Sequence, residues 1–343
     1  MASDRPPVAE ITGLAPGDVR FEDLLAEQRP VILKGLVRDW PLVAAGARSP
    51  GAAMAELLRF YQGKHVTGFT GRPDIDGRFF YNQDATALDF AGGRVALDAF
   101  LDRIREHLDD PQPPAFYVGS TDIDTYLPGF RAENDLPLDE PMFAAHPPIA
   151  SIWIGNRTVA ATHYDMSNNI ACCLVGRRRF TLFPPDQVAN LYPGPLEPTP
   201  GGQVLSMADP RAPDFDRYPR FRDALAAAQT AELDPGDALI YPALWWHQVE
   251  ALDRFNIMVN YWWNIAPRYM DTPMNTLLHA FLSLRGRTDA EKRAWRTMFD
   301  YYVFGPAEQA RAHLPEAAHG DLAPLDEAQA RRLRAKVMQR LNR

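Results

Sequence analysis

Two cysteines in 343 residues, adjacent at Cys172 and Cys173, are too few for a disulfide framework or a cysteine-based zinc site. Neighbouring residues on a strand point to opposite faces, so the pair is expected to fill two separate packing positions. Also lacking is any apolar run near the about 18 residues that a membrane span needs. Met1-Ala-Ser-Asp-Arg-Pro-Pro7 carries no apolar signal region, so no membrane association is expected and the cytoplasm is the expected compartment. Nor is there an excess of basic charge. A formal charge of −8 and a pI near 5.5 remove the electrostatic basis for a nucleic-acid partner, which rests on cationic contacts to phosphate. Internal repeats and low-complexity tracts are absent as well.

What is present is an enzyme-sized globular composition, 46% hydrophobic and 23% charged. Residues 1–115 have the texture of an α/β scaffold. A strand is expected at 30–34, a helix opening on Ser49-Pro50 as N-cap and first-turn proline, and a second helix through Val95, Leu97, Leu101, Ile104 and Leu108. Residues 116–265 change to short apolar or alternating runs broken by Gly, Pro and Asp. Strands are expected at 149–154, 169–175, 178–183, 238–241 and 256–262, which together suggest an antiparallel double-sheet barrel. Residues 266–343 are helical again, with helices expected at 273–284, 289–302 and 326–341. Their aromatic bulk at Tyr301-Tyr302-Val303-Phe304 fits either of two roles, closing the bottom of the barrel or forming a dimer interface.

The chemistry sits in His163-Tyr-Asp165 and, far downstream, His247. Two imidazoles and a carboxylate on one side of an octahedral ion leave three positions open, which is the facial arrangement of non-haem iron(II) oxygenases. On a strand, residues i and i+2 share a face, so His163 and Asp165 can reach one ion. The triplet alone carries little, because His107-Leu-Asp109 and His319-Gly-Asp321 have the same form and eight histidines yield about one such triplet by chance. Context separates them. His107 closes an amphipathic helix and His319 lies in a Gly/Ala/Pro-rich connection, whereas His163 is expected to open a hairpin, with 169–175 as the outgoing strand, Gly176 near the turn and 178–183 returning. His247 follows a Pro235-Gly236 turn, a strand broken by Pro242, and Trp245-Trp246.

These residues belong to a longer pattern: Trp153-Ile-Gly155, Thr162-His-Tyr-Asp165, Asn169, Gly176-Arg-Arg-Arg-Phe180, Leu182-Phe-Pro-Pro-Asp-Gln187, Leu191-Tyr-Pro193, Pro235-Gly-Asp237, Trp245-Trp-His247 and Val259-Asn-Tyr-Trp262. The pattern resembles the Jumonji C family, in the cupin-like branch that includes the asparaginyl hydroxylase acting on hypoxia-inducible factor. Arg29 to Gly35 with Asp39-Trp-Pro41 resembles that branch's opening strand, and residues 295–305 resemble its C-terminal helical region, which in the family often mediates dimers.

The resemblance implies a mainly β fold, a cupin-type double-stranded β-helix or jelly roll, with N-terminal α/β elements and C-terminal helices. It implies Fe(II) held by His163, Asp165 and His247, with 2-oxoglutarate and O2 as cosubstrates. The far carboxylate of 2-oxoglutarate would meet Arg178, fifteen residues past the first ligand, where the family usually has lysine. A guanidinium is always charged and binds a carboxylate bidentately, so the role is preserved. Tyr117, Asn169 and Asn260 fall at positions that hydrogen-bond the cosubstrate, and Trp262 would wall the iron pocket. A family threonine three residues before the first ligand is Ala160 here, with Thr158 and Thr162 as the neighbouring hydroxyls. By alternation Arg177 and Arg179 face away from Arg178. The expected function is hydroxylation of an unidentified protein or small-molecule substrate. The alternatives are a non-enzymatic cupin that senses a metal or a carboxylate, and a metal enzyme that does not use 2-oxoglutarate.

Overall fold

The structure, a computed structural model, describes residues 6–342, which divide into two compact units on either side of the Asn264–Ile265 junction. Among the described residues of the first unit the strands, in chain order, are β1 (Ala9–Ile11), β2 (Val31–Leu33), β3 (Val66–Gly71), β4 (Arg78–Phe79), β5 (Phe90–Val95), β6 (Ala115–Asp122), β7 (Ile149–Gly155), β8 (Val159–Tyr164), β9 (Asn168–Val175), β10 (Arg178–Phe183), β11 (Gln229–Leu233), β12 (Ala238–Tyr241), β13 (Trp246–Ala251) and β14 (Asn256–Trp263). Nine of them form one sheet in the order β1-β2-β12-β9-β14-β7-β6-β3-β5, and five form a second in the order β11-β10-β13-β8-β4. Two mostly antiparallel sheets with interleaved chain order are the double-stranded β-helix expected from the sequence.

Strand alternation divides the core. Cys172, Leu174 and Val259 face outward into a cluster with Leu42, Met54, Leu57 and Phe100 from the flanking helices. Cys173, Ala171 and Met258 face inward and meet Phe180, Leu182 and Val249 of the five-stranded sheet. Each fully buried large apolar side chain contributes about 1.5–3 kcal/mol to this packing. The two thiols therefore occupy opposite faces of β9 as single packing residues, and both are free.

Two differences from the sequence expectation concern connections. The runs 169–175 and 178–183 are not partners in a hairpin. Strand β9 pairs with β12 and β14, whereas β10 pairs with β11 and β13, so the chain crosses from one sheet to the other at Gly176. That residue has φ of +68°, and a Cβ there would meet the Asn256 side chain at 2.3 Å, so the crossing requires glycine. Strand texture shows that two segments are extended, but not which partners they take. The first third, moreover, is built into the larger sheet: β2 borders β12, and β3 and β5 extend it beyond β6.

In residues 265–343, helices span Pro273–Leu284, Asp289–Phe299 and Glu327–Leu341, the second opened by a capping box between Thr288 and Glu291. The expected continuation of that second helix to residue 302 is a π turn over Asp300–Phe304. None of the described helices is long and apolar enough to cross a membrane.

Candidate active site

Register places the first two ligands. Strand β13 runs antiparallel to β8 with His247 directly opposite His163, and their rings lie 4.3 Å apart between centroids. Asp165 follows β8 on the same face, held at the strand end where the Leu244 amide donates to its carbonyl at 2.8 Å. His163 Nε2 is 3.9 Å from Asp165 Oδ1, and His247 Nε2 is 3.6 Å from Asp165 Oδ2. One ligand atom from each of the three side chains lies within 4.8 Å of the others, and among the described residues this is the one cluster of its kind.

The imidazoles are oriented for a metal. His163 Nδ1 lies 2.8 Å from the Ala161 carbonyl, and His247 Nδ1 lies 3.0 Å from the Trp245 carbonyl. A carbonyl only accepts, so both Nδ1 atoms carry the proton and both Nε2 lone pairs face the centre. Burial, reinforced by the neighbouring His163, lowers the His247 pKa to about 4, which keeps that ring neutral at physiological pH. The other two His-x-Asp triplets behave as solvated structure. His107 caps its helix and meets Asp110, whereas Asp109 pairs with Arg254; His319 contacts the Leu314 carbonyl, and Asp321 pairs with Lys336.

A cavity of about 300 Å³ opens over the triad, and Tyr117, Asn260, Trp262 and Ala160 are among its lining residues. Behind it runs a hydrogen-bonded chain. Trp153 Nε1 donates to Asn260 Oδ1 at 2.5 Å, Asn260 Nδ2 donates to Asn169 Oδ1 at 3.1 Å, and Asn169 Nδ2 donates to Asp165 Oδ2 at 3.3 Å. Trp262 stacks on Trp153 with ring centroids 5.8 Å apart and 9° between planes. Burial pushes the Tyr117 hydroxyl up to about 12, with Arg178 opposing the shift and Asp165 adding to it.

Arg178 tests whether the site suits a dicarboxylate. It is 2% exposed, and its Nε and Nη2 atoms are buried without a hydrogen-bond partner among the described residues. Burial lowers its pKa, with Tyr117 and Cys173 opposing, and no carboxylate neutralises it. A buried cation with two unmatched donors is costly, and its chemistry suits a carboxylate. Arg178 and Asn169 are not among the residues that line the cavity; Tyr117, which interacts electrostatically with Arg178, is. The flanking Arg177 and Arg179 point outward to Asp253 and Glu232. The residues present therefore fit both a metal at the triad and a carboxylate beside Tyr117.

Ala160 lines the cavity, whereas Thr158 and Thr162 are not among its lining residues. Phe79 also lines the cavity, whereas Trp246 packs against Tyr164 and Trp245 donates to the Gln28 carbonyl. Sequence reasoning gave no role to Trp153, which anchors Asn260, or to Tyr241, whose hydroxyl lies 3.5 Å from His247 Nε2. The Tyr241 signal was an aromatic hydroxyl on an otherwise apolar strand. Burial raises its pKa well above the ordinary value, with Asp165 and Tyr117 adding to the shift.

Residues 16–269 match the family described as a cupin-like domain. Among curated proteins, an HSPB1-associated protein 1 homolog of Danio rerio is 26% identical over 255 residues, covering 68% of this chain and 52% of that protein. Lysine-specific demethylase 8 of Xenopus tropicalis is 25% identical over 250 residues, 70% of this chain and 49% of that protein. Lysine-specific demethylase JMJ31 of Arabidopsis thaliana is 33% identical over 118 residues, 33% of this chain and 21% of that protein. The chain spans about half the length, or less, of these relatives.

Proposed function

Because this chain belongs to the cupin-like family in its Jumonji C group, whose members use Fe(II) with 2-oxoglutarate and O2, we propose that it is a 2-oxoglutarate-dependent oxygenase that hydroxylates its primary substrate. The observation that carries the reading is the pairing of a metal-ligand triad with a buried, unpaired Arg178 guanidinium beside Tyr117, a residue of the triad's own cavity.

His163, Asp165 and His247 would hold the iron through their imidazoles and carboxylate. When bound, iron(II) with 2-oxoglutarate and O2 supplies oxidative decarboxylation to succinate and CO2, coupled to insertion of oxygen into a substrate C–H bond. Arg178 would receive the far carboxylate of 2-oxoglutarate, with Tyr117 as a neighbouring donor. Asn169 and Asn260 keep Asp165 oriented through their hydrogen-bonded chain and offer amide dipoles to the cosubstrate. Trp262, Trp153 and Phe79 form an apolar wall that excludes water from the oxidising centre. No side chain is needed as a general base.

Iron-loaded protein given 2-oxoglutarate in air should release succinate, and release should stop in the Asp165→Ala variant. Absence of succinate from protein carrying a full complement of iron would instead favour a binding or sensing cupin. The primary substrate is sought by mass spectrometry, as an added oxygen on a protein or small molecule. Exposed Leu278, Leu282, Val303 and Phe304 support a homodimer through the C-terminal helices, which sedimentation would test.

A further inference from the structure

Tyr241 ends β12 with its phenol inside the barrel, 3% exposed. Its ring centroid lies 4.8 Å from that of His247, and its hydroxyl is 3.5 Å from His247 Nε2. Because His247 Nδ1 carries the ring proton toward the Trp245 carbonyl, Nε2 is the acceptor and the phenol is the donor. Among the described residues Tyr241 has no other hydrogen-bond acceptor.

That acceptor is also the lone pair that a metal at the triad would take. Metal occupancy and the Tyr241–His247 hydrogen bond exclude each other. A buried hydroxyl deprived of its acceptor needs another, and the new acceptors brought by loading the site are oxygen atoms bound to the metal. The position of the ring indicates which oxygens. Strand pairing sets Tyr241 opposite Asn169. Its ring lies 6.1 Å from that of Phe180, which shares a strand face with Arg178 two residues earlier. The phenol thus lies on the inner side of the site, with Arg178 and Asn169.

We propose that Tyr241 is a further cosubstrate-binding residue: with metal at the triad, its phenol leaves His247 Nε2 and donates a hydrogen bond to a metal-bound oxygen of 2-oxoglutarate. The inference rests on the oxygenase reading above. It gives the site a donor that reports on loading, engaged with a ligand histidine before metal binds and with the cosubstrate afterwards.

The test compares wild type with Tyr241→Phe, which keeps the ring and its packing. Calorimetric titration of zinc-loaded protein with 2-oxoglutarate reads affinity without turnover, and the visible charge-transfer band of the anaerobic iron(II) complex reads the ligand's electronic environment. The expected result is about five- to tenfold weaker 2-oxoglutarate binding, the size of one lost hydrogen bond, with a displaced band and zinc affinity unchanged or raised. Raised zinc affinity would follow because the metal no longer displaces a hydrogen bond. Unchanged cosubstrate affinity, or zinc and cosubstrate affinities falling together, would overturn the inference. Arg178→Ala separates the two levels of the argument. If that variant loses 2-oxoglutarate while Tyr241→Phe does not, only the Tyr241 inference falls; if wild type binds no 2-oxoglutarate, the oxygenase reading falls with it.

Discussion

The two sheets make different contributions to the site. The five-stranded sheet supplies the ionic chemistry: His163 from β8 with Asp165 just beyond it, His247 from β13 and Arg178 from β10. The nine-stranded sheet supplies neutral groups, with Tyr117 on β6, Trp153 on β7, Asn169 on β9, Tyr241 on β12, and Asn260 and Trp262 on β14. On the smaller-sheet side Asp165 and Arg178 carry charge, and the two imidazoles turn their Nε2 atoms toward Asp165. Three of the neutral groups on the larger sheet, Trp153, Asn260 and Asn169, satisfy one another in a chain that ends on the Asp165 carboxylate. Loss of an ionic group should therefore remove a function outright, and loss of a neutral one should grade it.

The largest effect is expected from Asp165→Ala, which removes the anionic donor of the triad and should abolish both iron retention and turnover, measured by metal analysis and succinate release. Next is Arg178→Met. Cosubstrate affinity should fall about 10- to 100-fold with the loss of a charge-assisted contact. The same change should leave thermal stability level or raise it by about 1 kcal/mol or more, because an unpaired buried charge is gone. Arg178→Lys should recover most of the binding. A variant that lost stability and kept its affinity would break the comparison at its strongest point.

Acid sharpens it. The His247 pKa is held at about 4 in the fold against 6.5 for the free side chain, so between those values the unfolded chain binds the extra proton. Stability of the metal-free protein should accordingly fall as pH drops from about 6.5 to 4, by about 3 kcal/mol in all. Thermal melts of the metal-free protein at pH 7 and pH 5 would show this, and His247→Gln should flatten the dependence. The smallest effect is expected from Trp153→Phe, which keeps an aromatic ring on Trp262 but removes the N–H that anchors Asn260. A loss of about two- to fivefold in 2-oxoglutarate affinity would fit a graded role, and complete inactivity would show that the larger sheet is as essential as the smaller.

Much of this was legible in the sequence because strands here carry strong periodicity. The runs at 178–183 and 238–241 coincide with β10 and β12, and 149–154 and 256–262 each fall one residue short of β7 and β14. The triad was legible through spacing on a β scaffold, although the sequence could not show that His247 lies across from His163; register is a property of two strands, not one. Pairing partners escaped for the same reason, and the crossing at Gly176 looked like a hairpin turn. Strand β5, Phe90–Val95, escaped because Gly92 and Gly93 weaken a strand pattern. Tyr241 escaped because a tyrosine among Ala238, Leu239 and Ile240 has the appearance of core packing, and only the fold brings its hydroxyl to His247.

The most direct test of the central claim, that the smaller sheet holds iron and an anionic cosubstrate, is an anaerobic titration of iron(II)-loaded protein with 2-oxoglutarate followed in the visible. Wild type should develop a saturable charge-transfer band, Asp165→Ala none, and Arg178→Met the same band only at much higher cosubstrate concentration. A wild-type protein carrying one iron per chain that develops no band at any concentration would contradict the account.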